Sequence, residues 1–561
     1  MQESQRSRFH KFISFLTSNF INTFVLAFLF GFCFSIGLCN ANENLPDFRL
    51  DRMSGRNWAV LLLFTLFFYL VIQCVHFFLD SIQGKGTVRS LTKKQYWGLF
   101  AAMLLILLRY YAFLFVYNGP GSVATDTYNQ LLQYAGKRTR RNDNPFLLTL
   151  LYGWLHTVGR RIGGVNGGIY LNLLVQVFVM AWAYVRSAFF VYEKTGSVKL
   201  LLATWALYLI LPVFGGQAQI WLKDSIHSGI FVLFFIEYIR MFSADIRPKT
   251  LTRFCILTLL TCMTRKATVL IVAVCVLILG IRHFPRTRKT EERKHPVYWV
   301  AVAGTLLLFI LYENVLLPVF GVAPAAKKEN YVVPLRVTSL VVRDHRAELS
   351  VDETKVISEF LDLSKLPDAY NPDNMDKVKA MLNDASEPYL NDLLKLDLRL
   401  FFRFPLTALQ AVIEGSWRYY HPVLTDKSWI RIYITEEDTY GWYTENPTAK
   451  SRLYDWYTVF WEKTPVLTMF TDPGLYLWLV FFAFFRALRV RCKRAAVLIA
   501  PLVIFTLGLI VTPTNGDLRY AFPVICALPL TVAAFGRQSI TFHSDKKLSG
   551  YQISDATAFD L

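Results

Sequence analysis

The sequence predicts an all-α polytopic membrane protein of about 12 spans with a mainly helical extracytoplasmic domain. First, 54% of the 561 residues are apolar and only 18% are charged, against roughly 25% charged in soluble domains. Second, the apolar residues form blocks of about 20, the length that crosses about 30 Å of hydrocarbon. Third, the Lys and Arg residues behind the net charge of +19 lie in clusters between these blocks, as cytoplasmic loops would place them. A soluble enzyme and a nucleic-acid-binding protein are therefore not indicated.

The first half of the chain follows the positive-inside rule if the N-terminus is cytoplasmic. Its apolar blocks predict spans at 13–38, 58–80, 97–118, 167–190, 198–214 and 223–242. With this orientation the basic residues between the spans fall inside: Lys85, Arg89, Lys93, Lys94, Arg247, Lys249 and Arg253. The segment 119–166 then becomes the first external loop.

The apolar block 251–281 predicts a helical hairpin rather than one span. It is too long for a simple span and carries Arg265 and Lys266 at its middle. Two short helices would place this pair at the outer apex and return the chain to the cytoplasm. That return is needed because the following segment, 282–294, is the most basic loop of the sequence.

A polar region at 318–473 follows a span at 297–317. It holds 18 Lys/Arg and 23 Asp/Glu, a net charge of −5, and has helix-like segments. Nine predicted spans precede this region when the hairpin is counted as two, so a cytoplasmic N-terminus places the region outside. Closing spans at 474–491, 495–512 and 518–537 leave a cytoplasmic tail. The predicted layout is a transmembrane module at 1–317, an extracytoplasmic domain at 318–473, C-terminal spans at 474–537 and a tail at 538–561.

The first external loop carries the best candidate for chemistry, Asp126, directly after a Pro-Gly turn. A carboxylate near the outer membrane face, close to cations, suits the activation of an acceptor hydroxyl beside a phosphate leaving group. Gln130 and the cluster Arg138, Arg140 and Arg141 are the candidate binding residues of this loop. The alternative is that Asp126 only caps a helix beginning at Thr127.

Three further candidates lie at span boundaries: the pairs Lys223–Asp224, Arg265–Lys266 and Arg519–Tyr520. Charges at that depth are costly and are functional hypotheses by default, and adjacent cations suit a lipid phosphate. The alternatives are a self-neutralised pair with Asp224 capping its helix, an interfacial anchor for the dibasic pair, and ordinary interface residues at the third site.

These residues resemble a known pattern. The ordered series runs from Pro120, Asp126 and Asn144-Pro145 through Lys223-Asp224 and Arg265-Lys266 to Arg519-Tyr520. It resembles a family of uncharacterised bacterial multispanning proteins that is similar in layout to GT-C glycosyltransferases, which use polyprenyl-phosphate-linked sugars. The chain departs from that pattern at Asn144, where His is expected, and at 334–337, which lacks the expected glutamines.

The resemblance implies an integral membrane glycosyltransferase that moves a sugar from a polyprenyl-phosphate donor to a cell-envelope glycan acceptor outside the plasma membrane. In GT-C enzymes an acidic residue of the first external loop acts as base or positions the acceptor, a role that falls to Asp126. Cationic residues hold the lipid phosphate, a role open to Lys223, Arg265, Lys266 and Arg519. Some of these enzymes need a divalent metal, for which Asp126 with Asp143 or Asp224 are candidates.

Two other functions fit the same features. A transporter or flippase for a lipid-linked or anionic substrate would also use boundary charges and a hairpin, although the sequence has no inverted repeat. A non-catalytic scaffold whose external domain binds a partner would leave the external cations without a purpose. Membrane lipid is a partner in every case, and nucleic acid in none.

Overall fold

The computed structural model describes residues 19–41, 44–82, 90–242, 247–283, 295–382, 390–423 and 439–536. The regular secondary structure in these ranges is helical apart from one pair of two-residue strands, which confirms the all-α prediction. The elements before the polar region are α1 Phe20–Ala41, α2 Gly55–Ile82, α3 Lys93–Asn118, β1 Ser122–Val123, α4 Thr125–Tyr134, α5 Phe146–Thr195, α6 Val198–Ile210, α7 Pro212–Ala218, β2 Ile220–Trp221, α8 Lys223–Met241, α9 Pro248–Thr264, α10 Val269–His283 and α11 His295–Leu311.

The remaining helices build the polar region and the C-terminal part. They are α12 Val332–His345, α13 Val351–Phe360, α14 Leu366–Ala369, α15 Asp376–Met381, α16 Leu390–Arg403, α17 Pro405–Glu414, α18 Pro447–Asp455, α19 Pro473–Arg489, α20 Lys493–Gly508, α21 Leu518–Ala527 and α22 Leu530–Phe535.

Within the described ranges, eight helices are long and apolar enough to cross a membrane. Counting α6 and α7, which meet at 56°, as one broken span raises the number to nine. Helices α8, α9 and α19 fall outside this count: α8 carries four charged residues, and α9 and α19 have 17 residues each. Length and composition therefore establish a polytopic membrane protein but not the count of about 12 expected from the sequence.

The hairpin expected within 251–281 is present as α9 and α10. At one end of α8, Asp224 pairs with Arg265, which follows α9 directly. At the other end of α8, the Met241 carbonyl oxygen lies 2.7 Å from Nε2 of His283, the last residue of α10. Helix α9 therefore runs antiparallel to α8 and ends beside Asp224. Helix α10 then runs back in the opposite direction, with Arg265 and Lys266 at the turn between α9 and α10.

Local sequence signals set where these helices begin and end. Thr92 and Gln95 form a capping box at the start of α3. Asp472 caps α19, whose first residue is a proline. Helix α5 ends at Gly196 in the left-handed conformation and is broken at Gly163–Gly164, so its first part folds back along its second part. Asn172 accordingly donates to the Tyr152 carbonyl across this break.

The buried apolar residues form two large cores. One core unites the helices of α3–α11 with α19–α22 and includes Tyr419 and Tyr457 of the polar region. The other lies entirely between Val332 and Ala411. Arg336, fully buried in α12, joins the two by donating to the Ile510 and Thr512 carbonyls, and this contact holds the second core over the turn that precedes α21.

The ends of the helices far from the Arg265 turn carry their own ion pairs. Arg186 and Arg240 both bind Glu193, and Arg486 pairs with Asp80. These contacts fix α8 to α5 and α19 to α2. The predicted basic residues Lys85, Arg89 and 286–294 and the tail at 538–561 lie outside the described residues.

Candidate functional site: an ion-pair cluster at one end of the bundle

The strand pair β1–β2 brings the loop after α3 against the segment before α8. Ser122 and Val123 pair in parallel with Ile220 and Trp221. Asn118, at the end of α3, donates to the Gln219 side chain at 2.7 Å and fixes the same junction. Because both strands run directly into helices, the first turns of α4 and α8 lie side by side.

Asp126 lies in the first turn of α4, where its carboxylate is shared by two cations. Oδ2 of Asp126 accepts from Lys223 Nζ at 3.0 Å and from Arg519 Nη1 at 3.2 Å. The N-cap of α4 is Ala124, and no side chain caps it. The alternative that Asp126 only caps a helix beginning at Thr127 is therefore wrong, since the helix begins two residues earlier and the carboxylate points to cations.

Lys223 and Asp224 are not a self-neutralised pair. Lys223 binds Asp126 and the side-chain oxygen of Asn144, whereas Asp224 binds Arg265 at 3.3 Å. The N-cap of α8 is Leu222 without a side-chain cap, so Asp224 does not cap the helix either. Adjacent positions on the first turn of α8 thus serve two different ion pairs.

The Arg265–Asp224 pair forms the deep part of the site. Its side chains are only 8% and 3% exposed, whereas the Asp126 side chain is 31% exposed. Arg265 also lies over the ring of Tyr520 and donates to the Arg519 carbonyl at 3.4 Å. The buried pair therefore supports the segment that delivers Arg519.

Arg519 is held in place from two sides. Its Nε lies 3.0 Å from Asp517, which also caps α21, and its Nη2 donates to the Tyr520 hydroxyl at 2.9 Å. Each of these contacts uses a different nitrogen atom of the guanidinium group. The remaining nitrogen, Nη1, donates to Asp126.

Lys266 extends the cluster towards α11. Its Nζ lies 2.8 Å from Glu313, and Glu313 accepts two hydrogen bonds from Asn142. Glu313 stands in a π-helical turn, Tyr312–Leu316, a distortion found often at functional sites. At 40% exposure Lys266 is the most accessible cation of the group.

The structure does not bring the other predicted binding residues into this cluster. Gln130 is buried and donates to Thr149 and Pro145 at the junction of α4 and α5. Arg138 binds Asn129, Arg140 donates to the Phe320 carbonyl, and Arg141 pairs with Asp143. The three arginines thus fasten the first loop to itself and to the segment after α11.

An aromatic cluster adjoins the site behind β2. The ring of Trp221 lies next to those of Tyr152, His156 and Trp442, and Trp442 stacks on Tyr440. Among the described residues, the buried ring N–H groups of Trp221 and Trp442 have no hydrogen-bond partner. Strand β2, which precedes Lys223, is therefore packed against aromatic side chains through Trp221.

An apolar crevice of about 560 Å³ begins within one turn of the Arg265–Lys266 pair. It lies between α9, α10 and α11 and is lined, from Cys262 and Val269 down to Gly280 and Ile281, by apolar side chains. Val269 and Ile281 are twelve residues apart on one helix, which corresponds to a length of about 18 Å. Ala273 lies about one helical turn from Val269.

No group of three or more His, Cys, Asp and Glu residues is placed to hold a metal within the described ranges. The three carboxylates considered for a metal each face a cation: Asp126 faces Lys223, Asp224 faces Arg265, and Asp143 faces Arg141. The donor set therefore fits an ion-pair cluster better than a metal centre.

Three members of the cluster were not among the site residues predicted from the sequence. Asn144 contacts Lys223, Asp517 positions Arg519, and Glu313 pairs with Lys266. Asn144 and Asp517 stand in polar turns, Asn142-Asp-Asn-Pro and Thr514-Asn-Gly-Asp, that are equally typical of ordinary loops. The one available signal was Glu313, an acidic residue at the end of an apolar block.

A family described as "Family of unknown function (DUF6020)" matches residues 137–548, which is more than half of the chain. The match covers Lys223, Arg265, Lys266 and Arg519 and begins after Asp126. No curated protein and no solved structure matches the chain.

Proposed function

The chain belongs to the DUF6020 family, and we propose that it is an integral membrane glycosyltransferase that moves a sugar from a polyprenyl-phosphate donor to an extracytoplasmic cell-envelope acceptor. One observation carries the proposal. A single carboxylate, Asp126, is shared by Lys223 and Arg519, and the Arg265–Lys266 turn of the same cluster lies within one helical turn of an apolar crevice. This combination suits a substrate with a hydrocarbon tail, a phosphate and a reacting carbon next to it.

In the proposed topology twelve helices or broken helices cross the plasma membrane. The eight candidate spans are joined by α6–α7, α8, α9 and α19, which run beside them between the same two ends of the bundle. Both termini are then cytoplasmic, and the site, with 318–473, faces outwards. The basic residues of the inner loops support this orientation.

In this proposal the accessible cations of the cluster bind the phosphate of the donor. Lys223 and Arg519 reach the accessible part of the site and Lys266 stands at the entrance of the crevice, whereas Arg265 is buried against Asp224. An arginine presents two parallel N–H groups to a phosphate, and charge-assisted bonds of this kind are the strong ones. The crevice between α9 and α11 then receives the lipid chain.

Donor binding releases Asp126 for chemistry. Asp126 is the anionic partner of both Lys223 and Arg519, so a phosphate that binds these cations replaces the carboxylate as their partner. The released carboxylate stays within the same small volume because α4 is held by β1. Asp126 is therefore available as a base only after the donor has bound.

The transfer step balances without a further reagent. The acceptor hydroxyl oxygen forms a bond to the anomeric carbon of the sugar while the bond from that carbon to the phosphate oxygen breaks. The hydroxyl proton passes to the Asp126 carboxylate, and the leaving polyprenyl phosphate keeps the electron pair. Lys223, Arg519 and the flanking cations stabilise the charge that develops on this phosphate.

The test is transfer by the purified protein in proteoliposomes, with a panel of undecaprenyl-phosphate-linked radiolabelled hexoses as donors and cell-envelope glycan as acceptor. The proposal expects label in the glycan fraction with the wild-type protein and at least about a hundred-fold less with Asp126→Asn. Equal transfer by the two proteins would refute the role of Asp126. Movement of the labelled lipid between leaflets with no new covalent product would instead identify a flippase.

A further inference from the structure

Helix α16 presents three different faces around its axis. Its buried face packs into the core between Val332 and Ala411, with Leu393, Leu396 and Leu400 turned inwards. A second face exposes Leu394, Leu398, Phe401 and Phe402. A third carries Lys395, Arg399 and Arg403. At about 100° per residue the exposed apolar side chains occupy one continuous sector of about 100°, bordered by the cationic sector.

Helix α17 continues the apolar sector towards the membrane-spanning helices. It exposes Leu406 and Leu409 on one side. Next to Leu406, one turn further along the same helix, Gln410 donates to the Phe48 carbonyl and accepts from the Leu50 backbone, each at 3.0 Å, in the segment that joins α1 to α2. The exposed leucines of α17 therefore begin where the apolar outer surface of α1 and α2 ends.

The membrane-facing surface of α2 lies next in this series. Trp58, Leu62 and Leu63, in its first turns, are each more than half exposed and lie at the same end of the helix as the Phe48–Leu50 segment. Ile413 and Trp417, just beyond Leu409, pack with Ile36 and Phe48 against this end. The exposed side chains of α16 and α17 thus prolong the lipid-facing surface of the spans.

We propose that α16 and α17 lie in the lipid headgroup region of the leaflet at the Asp126 end of the bundle, with Leu394, Leu398, Phe401, Phe402, Leu406 and Leu409 inserted into the acyl chains. We name these six side chains the apolar stripe. A helix with a wide apolar sector bordered by cations typically binds a membrane surface in this manner.

Two observations favour lipid over a protein partner. The apolar stripe adjoins, through α17 and the α1–α2 connection, the exposed apolar surface of two candidate membrane spans, and its border is cationic, which complements lipid phosphates. Arg403 and Lys395 also pair with Glu353 and Asp392, at 2.7 and 2.9 Å, and Arg399 adds a third cation to this border. Exposed apolar patches of this extent mark interaction sites rather than ordinary surface.

The consequence is a fixed height for the polar region above the membrane. Through Arg336, the same unit supports the turn that leads to Asp517 and Arg519. Insertion of the apolar stripe therefore sets the level of the ion-pair cluster relative to the lipid headgroups. This inference does not depend on the proposed glycosyl transfer, because it concerns only where the helices lie.

The test uses the full-length protein in vesicles of phosphatidylglycerol and phosphatidylethanolamine. Single cysteines replace Phe402, which is 80% exposed, and Leu398, in a Cys74→Ala background that removes an exposed native thiol. Each is labelled with bimane and exposed to doxyl groups on lipid chains or to iodide in water. Ser358→Cys, at an exposed polar position of α13 in the same unit, is the matched control.

We expect lipid-borne doxyl groups to reduce the emission of labels at Phe402→Cys and Leu398→Cys by at least about two-fold, with iodide having little effect. The label at Ser358→Cys should show the reverse pattern. Quenching of all three labels by iodide alone would place the apolar stripe in water and overturn the proposal. Protection of the stripe labels from both quenchers would also overturn it, because a protein partner or a second copy would then cover them.

Discussion

Lys223 Nζ lies 3.0 Å from Asp126 Oδ2, although the two residues are 97 positions apart in the chain. The contact exists because the short strands β1 and β2 set the first turns of α4 and α8 side by side. Arg519 reaches the same carboxylate oxygen from the start of α21. One carboxylate thus holds together three separate segments of the bundle.

Replacement of Asp126 by Asn separates binding from transfer. The amide cannot accept the acceptor proton, so transfer should fall at least about a hundred-fold. The donor should bind as tightly as before or more tightly, because Lys223 and Arg519 no longer have a competing carboxylate. Binding of undecaprenyl phosphate, followed by native mass spectrometry, checks the second part.

Asp143→Asn is the matched control for this variant, because Asp143 lies in the same loop but pairs with Arg141. It should keep both transfer and binding. A parallel loss of donor binding in Asp126→Asn would contradict the idea that carboxylate and phosphate compete for the same cations.

Removal of the accessible cations should weaken donor binding. Lys223→Met and Arg519→Gln each delete a charge-assisted contact worth about 1.5–3 kcal/mol, which corresponds to a ten- to hundred-fold higher Kd for undecaprenyl phosphate. Arg138→Gln and Arg140→Gln remove positive charge from the same end of the protein without touching the cluster. If those control variants weaken binding equally, the attraction is a general effect of surface charge.

The buried Asp224–Arg265 ion pair should contribute to the free energy of unfolding. Asp224→Asn leaves the Arg265 guanidinium without its anionic partner at a deeply buried position, a change that costs about 3–5 kcal/mol in buried pairs. Thermal unfolding in detergent should therefore show a clear drop in Tm, and the double variant Asp224→Asn/Arg265→Met should recover part of it. Asp362→Asn breaks an exposed pair with Lys365 and should leave Tm unchanged. Equal Tm values for the single and double variants would show that the two residues are not coupled.

The sequence was sufficient for the fold class and for the hairpin, because both follow from general constraints on chains in membranes. A dibasic pair within an overlong apolar block, followed by the most basic loop, leaves few arrangements, and Arg265 lies at the turn between α9 and α10 as expected. These are local signals, and each acts within a few residues. Span boundaries were less predictable, since the predicted span 167–190 is part of a helix that begins at Phe146 and ends at Thr195.

The membership of the ion-pair cluster was only partly predictable. Asp126 and Arg519 are 393 residues apart, and no local signal states which cation faces which carboxylate. The arginines at 138–141 share the loop of Asp126 but bind Asn129, the Phe320 carbonyl and Asp143 instead. Proximity in sequence favoured them, whereas the strand pairing and the packing of α21 decided the outcome.

Asp397 should make the polar region less stable as the pH rises. Burial in α16 raises the pKa of this carboxyl to about 7, an effect that the hydrogen bond from Thr338 only partly offsets. The folded state therefore holds a proton that the unfolded state, with a pKa near 3.8, has released. The contribution of this proton is fully present below about pH 4 and is lost as the pH approaches 7, a change on the order of 4 kcal/mol.

Hydrogen exchange of the α12 and α16 amides at pH 5 and pH 8, corrected for the intrinsic rate, measures this effect. In Asp397→Asn these amides should be more protected from exchange than in the wild type at pH 8. Their protection should also be the same at pH 5 and at pH 8. Asp352→Asn, at an exposed position of α13, should behave as the wild type does. Protection that increases with pH in the wild-type protein would contradict the sign of this prediction.

The apolar crevice should select for the length of the lipid chain. Ala273→Trp places a large side chain about one helical turn beyond Val269, where it fills the space between α10 and α11. Binding of undecaprenyl phosphate should weaken by at least about ten-fold, or 1.4 kcal/mol. Dimethylallyl phosphate, whose single isoprene unit is too short to reach Ala273, should bind the variant and the wild type equally. Ala102→Trp adds the same side chain to an exposed position of α3 and should change neither affinity. Equal weakening for both lipids would mean that Ala273→Trp disturbs the cations above the crevice rather than the path of the chain.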